Sequence, residues 1–378
     1  MAARIFFLFT LGYFLSYFYR SANAVLAKDL SRELGLGPAE LGFMTSLFYL
    51  AFASVQLPLG GLLDRLGPRT VTPALLLVAA LGSLVFGLAH SFPVLALGRA
   101  LIGMGMAAAL MGSLKAFSLW FPKNYATVST LLVGLGATGG LLAATPLALL
   151  KEALGWRGVF LLGASVVVLV ALALYLGVRD APPGVAWPGG KEQGSLGEVV
   201  RNGRLLRVAF LGFAFTGGFL SLQTLWAGAY AYALGLEAVQ VGNLLFLYSG
   251  LAVLGFLASG YLADRLGTAR VLLASTLLFA LGLLLLLLQA LVPAYALLGF
   301  FGAFNILTLT QARELVAAHL VGRGTTLVNL FGIGGTFLLQ WGLGVAVGGW
   351  GYALAFGGLL ALLLLALALY LPLLQRSG

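Results

Sequence analysis

Long apolar segments follow one another along nearly the whole chain, and they constrain its fold more than any other feature. A bilayer core of about 30 Å is crossed by a helix of about 20 apolar residues. Only 8% of the 378 residues are charged, whereas soluble domains have about 25%. We therefore predict an all-α integral membrane protein. Its twelve predicted spans are residues 4–27, 39–62, 70–89, 93–118, 125–150, 157–178, 206–232, 238–262, 271–290, 293–313, 324–345 and 350–373.

The longest polar stretch divides these spans into two groups of six. It reads RDAPPGVAWPGGKEQGSLGEVVRNGRLLR at residues 179–207. Its first part is rich in proline and glycine, which is typical of a linker. Ser195-x-x-Glu198 then forms a capping-box pattern, which predicts a short surface helix. The predicted domains are an N-terminal half at 1–178, a cytoplasmic linker at 179–205 and a C-terminal half at 206–378.

The lysines and arginines of the loops predict how the chain crosses the membrane. Cytoplasmic loops carry an excess of these residues. With the N-terminus inside, 14 basic residues fall on the cytoplasmic side and 4 on the other. We therefore expect a multi-pass protein of the plasma (inner) membrane with both termini cytoplasmic. The net charge of +10 is spread over short loops rather than gathered on one basic face, which argues against nucleic acid as a partner. Membrane lipids are expected partners of a chain with these spans.

One charged loop occurs twice. GGLLDRLGPRT at residues 60–70 is followed by GYLADRLGTAR at residues 260–270. The shared positions are shifted by 200, which predicts a duplicated architecture. The pairs are Gly60 and Gly260, Asp64 and Asp264, Arg65 and Arg265, and Gly67 and Gly267.

The pattern G-x-x-x-D-R-x-G-x-R between the second and third spans resembles the signature loop of the major facilitator superfamily. Span number, linker and both loops agree with that family, so the resemblance covers the full chain. It implies the family's fold, with two pseudo-symmetric six-helix halves, and transport by alternating access. It also implies a conformational latch formed by Gly60, Asp64, Arg65, Gly67, Arg69, Asp264, Arg265, Gly267 and Arg270.

The resemblance also implies what the latch aspartates contact. A helix N-terminus carries about half a positive charge, which attracts a carboxylate. Asp64 would meet the start of the eleventh span at residues 324–326, and Asp264 the start of the fifth span near Asn124 and Tyr125. Each contact would break when the halves rock.

Three basic residues lie inside predicted spans, and the first of them is Arg20, in the outer half of the bilayer. It follows Arg4 by 16 residues, about 24 Å along a helix. Tyr13, Tyr17 and Asn23 share its helix face. The stretch SYFYRSANAVLAKDL resembles the first span of facilitators that move organic anions, in which an arginine meets the substrate. The alternative is a structural role in hydrogen bonding.

Arg99 and Lys115 both lie in the fourth span. Arg99 opens R-x-x-x-G-x-G with Gly103 and Gly105, which resembles the family motif whose arginine supports the central cavity. The alternative is an arginine bonded to a carbonyl of a neighbouring helix. Lys115 follows Arg99 by 16 residues, and each residue turns a helix by about 100°. On a straight helix the two side chains therefore point in nearly opposite directions, and only a bend in the helix would bring them to one cavity. Lys115 either lines the cavity or extends to the cytoplasmic surface.

Acidic residues are absent from the middle of every predicted span. His90 and His319 are predicted near loops, and the chain has no cysteine. Proton relays in membranes usually use buried acids or histidines, and enzymes need a convergent catalytic set. We therefore predict no enzyme activity, metal or cofactor. The basic spans favour an anionic substrate over a lipophilic cation.

Polar and aromatic side chains of other spans complete the candidate substrate site. Facilitators bind their substrates near the midplane between the two halves, although such side chains also hydrogen-bond between helices. The predicted substrate-binding residues are Tyr17, Arg20, Tyr49, Gln56, Arg99, Lys115, Gln223, Trp226, Tyr230, Asn305, Asn329 and Gln340.

The sequence therefore predicts a secondary active or facilitative transporter of a small organic anion. Protons or a counter-anion are the expected coupling partners, and facilitated diffusion without coupling is the third option. The alternatives are an efflux transporter for drugs or siderophore-like metabolites, and a receptor of the same fold that binds without transporting.

Overall fold

The computed structural model describes residues 1–183, 199–317 and 320–376. Part of the predicted linker lies outside these ranges, including the proposed capping box at Ser195 and Glu198. His319 also lies outside them. All regular secondary structure in the described ranges is helical.

The first eight helices precede the linker. They are α1 Ala2–Leu34, α2 Pro38–Leu66, α3 Pro68–Gly87, α4 Phe92–Met106, α5 Ala108–Trp120, α6 Tyr125–Ala137, α7 Gly139–Leu142 and α8 Thr145–Gly177.

The remaining helices follow the linker. They are α9 Gly203–Ser221, a π-helical turn Leu222–Trp226, α10 Ala227–Ala233, α11 Ala238–Leu266, α12 Thr268–Leu287, α13 Leu291–Gly302, a 3-10 turn Ala303–Ile306, α14 Leu307–Glu314, α15 Val321–Tyr370 and a 3-10 turn Leu371–Arg376.

Ten helical stretches of the described chain are long and apolar enough to cross a membrane. Two of them are interrupted by a glycine with positive φ, Gly155 at 66° and Gly351 at 81°. The interruption at Gly351 divides α15 into the eleventh and twelfth predicted spans. The interruption at Gly155 assigns the first part of α8 to the fifth span, which also contains α6 and α7. Every predicted span therefore corresponds to helix, and the predicted all-α membrane fold is confirmed.

The repeat in the sequence reappears in the helices. α2 and α11 each contain 29 residues, α3 and α12 each contain 20, and their bounds differ by 200 positions. Gly67 and Gly267 combine φ of 75° and 87° with ψ of 156° and 133°, a backbone conformation that costs other residues about 1–3 kcal/mol. Each glycine ends one helix and allows the next to begin at the following residue.

The chain divides into two compact units. One comprises Met1–Leu36 and Leu47–Lys191, and the other comprises Gly37–Ser46 and Glu192–Gly378. α2 therefore contributes its first residues to the second unit. In the first unit α3 packs mainly against α4 and α8, and in the second α9 packs mainly against α15.

Candidate functional site

Arg99 of α4 is completely buried and bound to the backbone of α1. Its Nη1 donates to the carbonyl of Tyr19 at 2.7 Å, and its Nη2 donates to the carbonyl of Arg20 at 3.2 Å. Its Cζ lies 4.9 Å from the ring centre of Phe48. Of the two alternatives for this residue, the geometry matches the arginine that is bonded to carbonyls of a neighbouring helix.

The two glycines of the R-x-x-x-G-x-G motif pack α4 closely against α2 and α3. A Cβ on Gly103 would lie 2.2 Å from the carbonyl oxygen of Phe48 in α2, and one on Gly105 would lie 2.3 Å from the backbone nitrogen of Ala79 in α3. Small residues let membrane helices approach this closely. The motif therefore joins α4 to α1, α2 and α3 within three turns.

Arg20 lies among aromatic rings. Its Cζ is 4.9 Å from the ring centre of Tyr17, 5.9 Å from that of Phe48 and 5.7 Å from that of Phe52. A guanidinium at such distances is attracted to the ring faces. We call these four residues the Arg20 cluster. Phe48 and Phe52 are both missing from the predicted site, although their spacing of four on α2, which places them on one helix face, was a usable signal.

The Arg20 side chain makes no hydrogen bond or ion pair with the residues that the structure describes. Its Nε is buried and has no partner there. Arg20 is half-buried overall, and a guanidinium has five N–H donors. The Arg20 cluster thus presents a positive charge whose donors are not used by the described protein.

Lys115 is not part of this cluster. Its Nζ forms an ion pair with Oδ1 of Asp64, and both side chains are partly buried. Asp64 follows Phe48 by 16 residues on α2, about 24 Å along a helix. The helix breaks at Ala107 between α4 and α5, so Arg99 and Lys115 have separate surroundings. In this structure Lys115 contacts Asp64 of the predicted latch, and its contact with the substrate stays a prediction.

Two carboxylates accept hydrogen bonds from residues at the starts of the helices that follow the duplicated loops. Asp180 accepts a hydrogen bond of 2.7 Å from the backbone N–H of Arg69 at the start of α3. Glu314 accepts one of 2.6 Å from the hydroxyl of Thr268 at the start of α12. The Nε of Arg69 also donates to the carbonyl of Tyr175 at 3.0 Å.

Most of the other predicted latch residues are accessible to solvent or lipid, although Gly67 is buried. Gly60, Arg65, Asp264, Arg265 and Arg270 are all exposed. The predicted contacts of Asp64 with residues 324–326, and of Asp264 with Asn124 and Tyr125, stay predictions.

Gln340 of α15 contacts two residues of the π-helical turn in the second unit. The indole Nε1 of Trp226 donates to its carbonyl at 2.9 Å, and the hydroxyl of Thr224 donates to its Oε1 at 3.3 Å. The π-helical turn is of interest because such turns occur frequently at functional sites. Within the described chain, the buried Nε2 of Gln340 and the buried Oε1 of Gln223 have no hydrogen-bond partner.

Three other predicted site residues use their polar atoms on the protein. Gln56 donates to the carbonyl of Ala107 at 3.2 Å. The Asn305 amide accepts from Thr216 at 3.1 Å and donates to Gly302 at 2.8 Å. Tyr230 donates to the carbonyl of Leu286 at 3.3 Å. Their geometry matches hydrogen bonding within and between helices.

The remaining predicted residues differ in exposure. Tyr49 is buried and Asn329 is half-buried. Among the residues that the structure describes, no group of three or more His, Cys, Asp or Glu side chains could hold a metal ion.

Comparison with known proteins shows which protein family the chain resembles. The sequence model of the Major Facilitator Superfamily matches residues 9–238 and 221–377. The chain is 31% identical over 169 residues to the probable L-galactonate transporter of Escherichia coli, an alignment covering 44% of this chain and 37% of that protein. It is 27% identical over 175 residues to the probable sulfoacetate transporter of Cupriavidus necator, covering 46% and 40%. The aligned regions thus span less than half of these relatives.

A solved structure extends the similarity to nearly the whole chain. The nucleoside transporter NupG superimposes with a TM-score of 0.83 over 97% of this chain and 99% of that one, at 14% identity. At that identity the likeness concerns the fold alone.

Proposed function

Because the chain belongs to the Major Facilitator Superfamily, we propose that it carries a small organic anion across the membrane by alternating access. Arg20 supplies the positive charge that meets the substrate. The family and the relatives are transporters, so the chain is a membrane transporter and not an enzyme.

The observation that carries this proposal is the unused guanidinium of Arg20. A charged side chain inside the membrane is costly, and such residues usually pair or line a substrate pathway. Arg20 has aromatic neighbours but no carboxylate partner in the described chain. An anionic substrate would satisfy its donors and neutralise its charge, which offsets the cost of removing both charges from water.

The shape of the guanidinium favours a carboxylate or a similar group. Its planar fork can donate two parallel hydrogen bonds to one carboxylate. The rings of Tyr17, Phe48 and Phe52 contribute cation–π attraction and apolar surface. Water is displaced from such a surface, which strengthens the charge–charge attraction.

Five acids of the described chain are already bound to other residues of the protein and are therefore not available to a cationic substrate. Asp29, Glu33 and Asp64 form ion pairs with lysine or arginine, and Asp180 and Glu314 accept hydrogen bonds at helix starts. The two relatives are named as probable transporters of L-galactonate and of sulfoacetate, and both of these compounds are organic anions. Both points support the anionic substrate over efflux of lipophilic cations.

Thermal unfolding of the purified protein with small anions, zwitterions and lipophilic cations tests the proposal. A ligand at about 100 times its Kd adds roughly 2.7 kcal/mol to stability. We expect an organic anion to raise the Tm of the wild type and of Arg207→Gln, an exposed control, but not that of folded Arg20→Gln. Stabilisation by lipophilic cations alone, unchanged in Arg20→Gln, would overturn the proposal in favour of efflux.

Uptake into proteoliposomes then separates transport from binding. The stabilising anion should accumulate inside, with separate trials imposing a pH gradient or loading a counter-anion to identify the coupling. Binding without flux in every trial would make the protein a receptor instead.

A further inference from the structure

A second cation lies beside the Arg20 cluster in the first unit. The Cζ of Arg99 is 4.9 Å from the ring centre of Phe48, and the Cζ of Arg20 is 5.9 Å from the same centre. Arg99 also donates to the backbone carbonyl of Arg20 at 3.2 Å. Two guanidinium groups therefore share one aromatic ring inside the predicted membrane region.

Neither cation is paired with an acid in the described chain. The ion pairs there include Lys115–Asp64, Lys151–Asp29 and Arg157–Glu33, and none of these involves Arg20 or Arg99. The Nε atoms of Arg20 and Arg99 are both buried and have no hydrogen-bond partner among the described residues. Arginine stays protonated in proteins, so this site carries two positive charges rather than one.

Arg99 differs from Arg20 in how its donors are used. Its two amino groups are bound to the carbonyls of Tyr19 and Arg20, and the side chain is completely buried. These carbonyl oxygens accept two of its five N–H donors but do not cancel the net charge. Arg99 is therefore a positioning residue for the α1 segment that contains Arg20, and its charge acts on a ligand through space.

Like charges in a medium of low dielectric raise each other's energy. A ligand with one negative charge compensates one guanidinium and leaves the other uncompensated. A ligand with two compensates both. We infer that the substrate is a small dianion, with one anionic group bound to Arg20 and the second held near Arg99. This inference rests on the proposed function.

Matched ligands test this inference directly. Dicarboxylates of four to six carbons are compared with their monoamides, which keep the size and lose one charge. Titration calorimetry on the purified wild type, in buffers with and without chloride, gives the Kd of each. We expect at least one dicarboxylate to bind tenfold more tightly than its monoamide, a difference of about 1.4 kcal/mol.

Two variants assign the preference to the charge of Arg99. Arg99→Lys keeps the charge, so the tenfold ratio should persist within about threefold. Arg99→Met removes it, so the ratio should fall below about threefold while the monoamide still binds. Size-exclusion profiles and unliganded melting curves check that both variants fold. If Arg99→Met does not fold, the ratio of dicarboxylate to monoamide affinity in the wild type and in Arg99→Lys still tests the inference.

The outcomes separate the inference from the proposed function. Equal binding of dicarboxylate and monoamide in the wild type would overturn the dianion while leaving the organic-anion transporter intact. The inference would also be overturned if the monoamide bound as tightly as the dicarboxylate in the buffer with chloride but not in the buffer without it. In that case the monoamide and a chloride ion would together supply the two negative charges. Absence of binding by any organic anion would instead contradict the proposed function itself.

Discussion

The Nζ of Lys115 donates to Oδ1 of Asp64, and this ion pair ties α5 to the first copy of the duplicated charged loop. The second copy lacks an equivalent lysine, because the position 200 residues after Lys115 is Leu315. Asp264 is accordingly exposed, whereas Asp64 is partly buried. Two loops of nearly the same sequence are therefore held differently.

A double-mutant cycle should measure this difference. Lys115→Met and Asp64→Asn should each lower the free energy of unfolding, with a coupling energy of about 0.5–1 kcal/mol for a partly exposed pair. Asp264→Asn is the matched control and should change it by less than about 0.5 kcal/mol. Melting curves of the four-member cycle provide the measurement. Strictly additive single effects would contradict the ion pair.

The loop glycines offer a second matched comparison. Alanine at Gly67 or Gly267 must adopt a positive φ with an extended ψ, which costs about 1–3 kcal/mol. At Gly67 the new Cβ would also lie 2.4 Å from Oδ1 of Asp180, whereas Gly267 has open space. Gly67→Ala should therefore lower the Tm more than Gly267→Ala. Equal losses would show that Asp180 moves aside without cost.

Gly103 should tolerate no side chain. A Cβ there meets the backbone of Phe48 at 2.2 Å, and overpacking of this kind costs about 1–3 kcal/mol. Gly103→Ala should lower both the Tm and the affinity for the substrate, because α2 carries two rings of the Arg20 cluster. Gly358→Ala, on a helix with nothing within 4 Å, is the control and should be neutral or slightly stabilising. A neutral Gly103→Ala would show that α4 can shift freely.

Gln340→Met should separate a binding role from a structural one. The variant loses the hydrogen bond from Thr224 but also removes a buried Nε2 that has no partner in the described chain. Stability should therefore change by less than about 1 kcal/mol. The affinity for the anion should fall at least tenfold if Gln340 contacts the substrate.

Gln56→Met is the control for this prediction. Its affinity for the anion should stay within threefold of the wild type, since the side-chain amide of Gln56 is bonded to the carbonyl of Ala107. Unchanged affinity in both variants would remove Gln340 from the site.

Much of the architecture follows from local sequence. The apolar stretches had the length of a membrane crossing, and the structure places helix at each of them. The 200-residue shift of the loop motif recurs in the bounds of α2, α3, α11 and α12. Arg20 stood out because a charge in an apolar span is costly wherever the rest of the chain lies. These inferences depend on residues close together in the sequence.

The partners of the charged residues could not be inferred in this way. Helical spacing alone left the surroundings of Lys115 open, and the structure pairs it with Asp64, 51 residues away. Arg99 is bonded to carbonyls 79 and 80 residues away. Backbone carbonyls occur at every residue, so no side-chain pattern marks those that accept such bonds.

The sequence by itself determined that the chain is a helical membrane protein with a repeated loop and an arginine deep in its first span. Hydropathy and glycine spacing act locally, within one helix or one turn, and this is why they can be read from the sequence. Only the tertiary structure decided that Arg99 supports α1, that Lys115 pairs with Asp64 and that Phe48 lies beside both guanidinium groups. Those relationships depend on how the helices pack, including the close approach of α4 to α2 and α3 at Gly103 against Phe48 and Gly105 against Ala79.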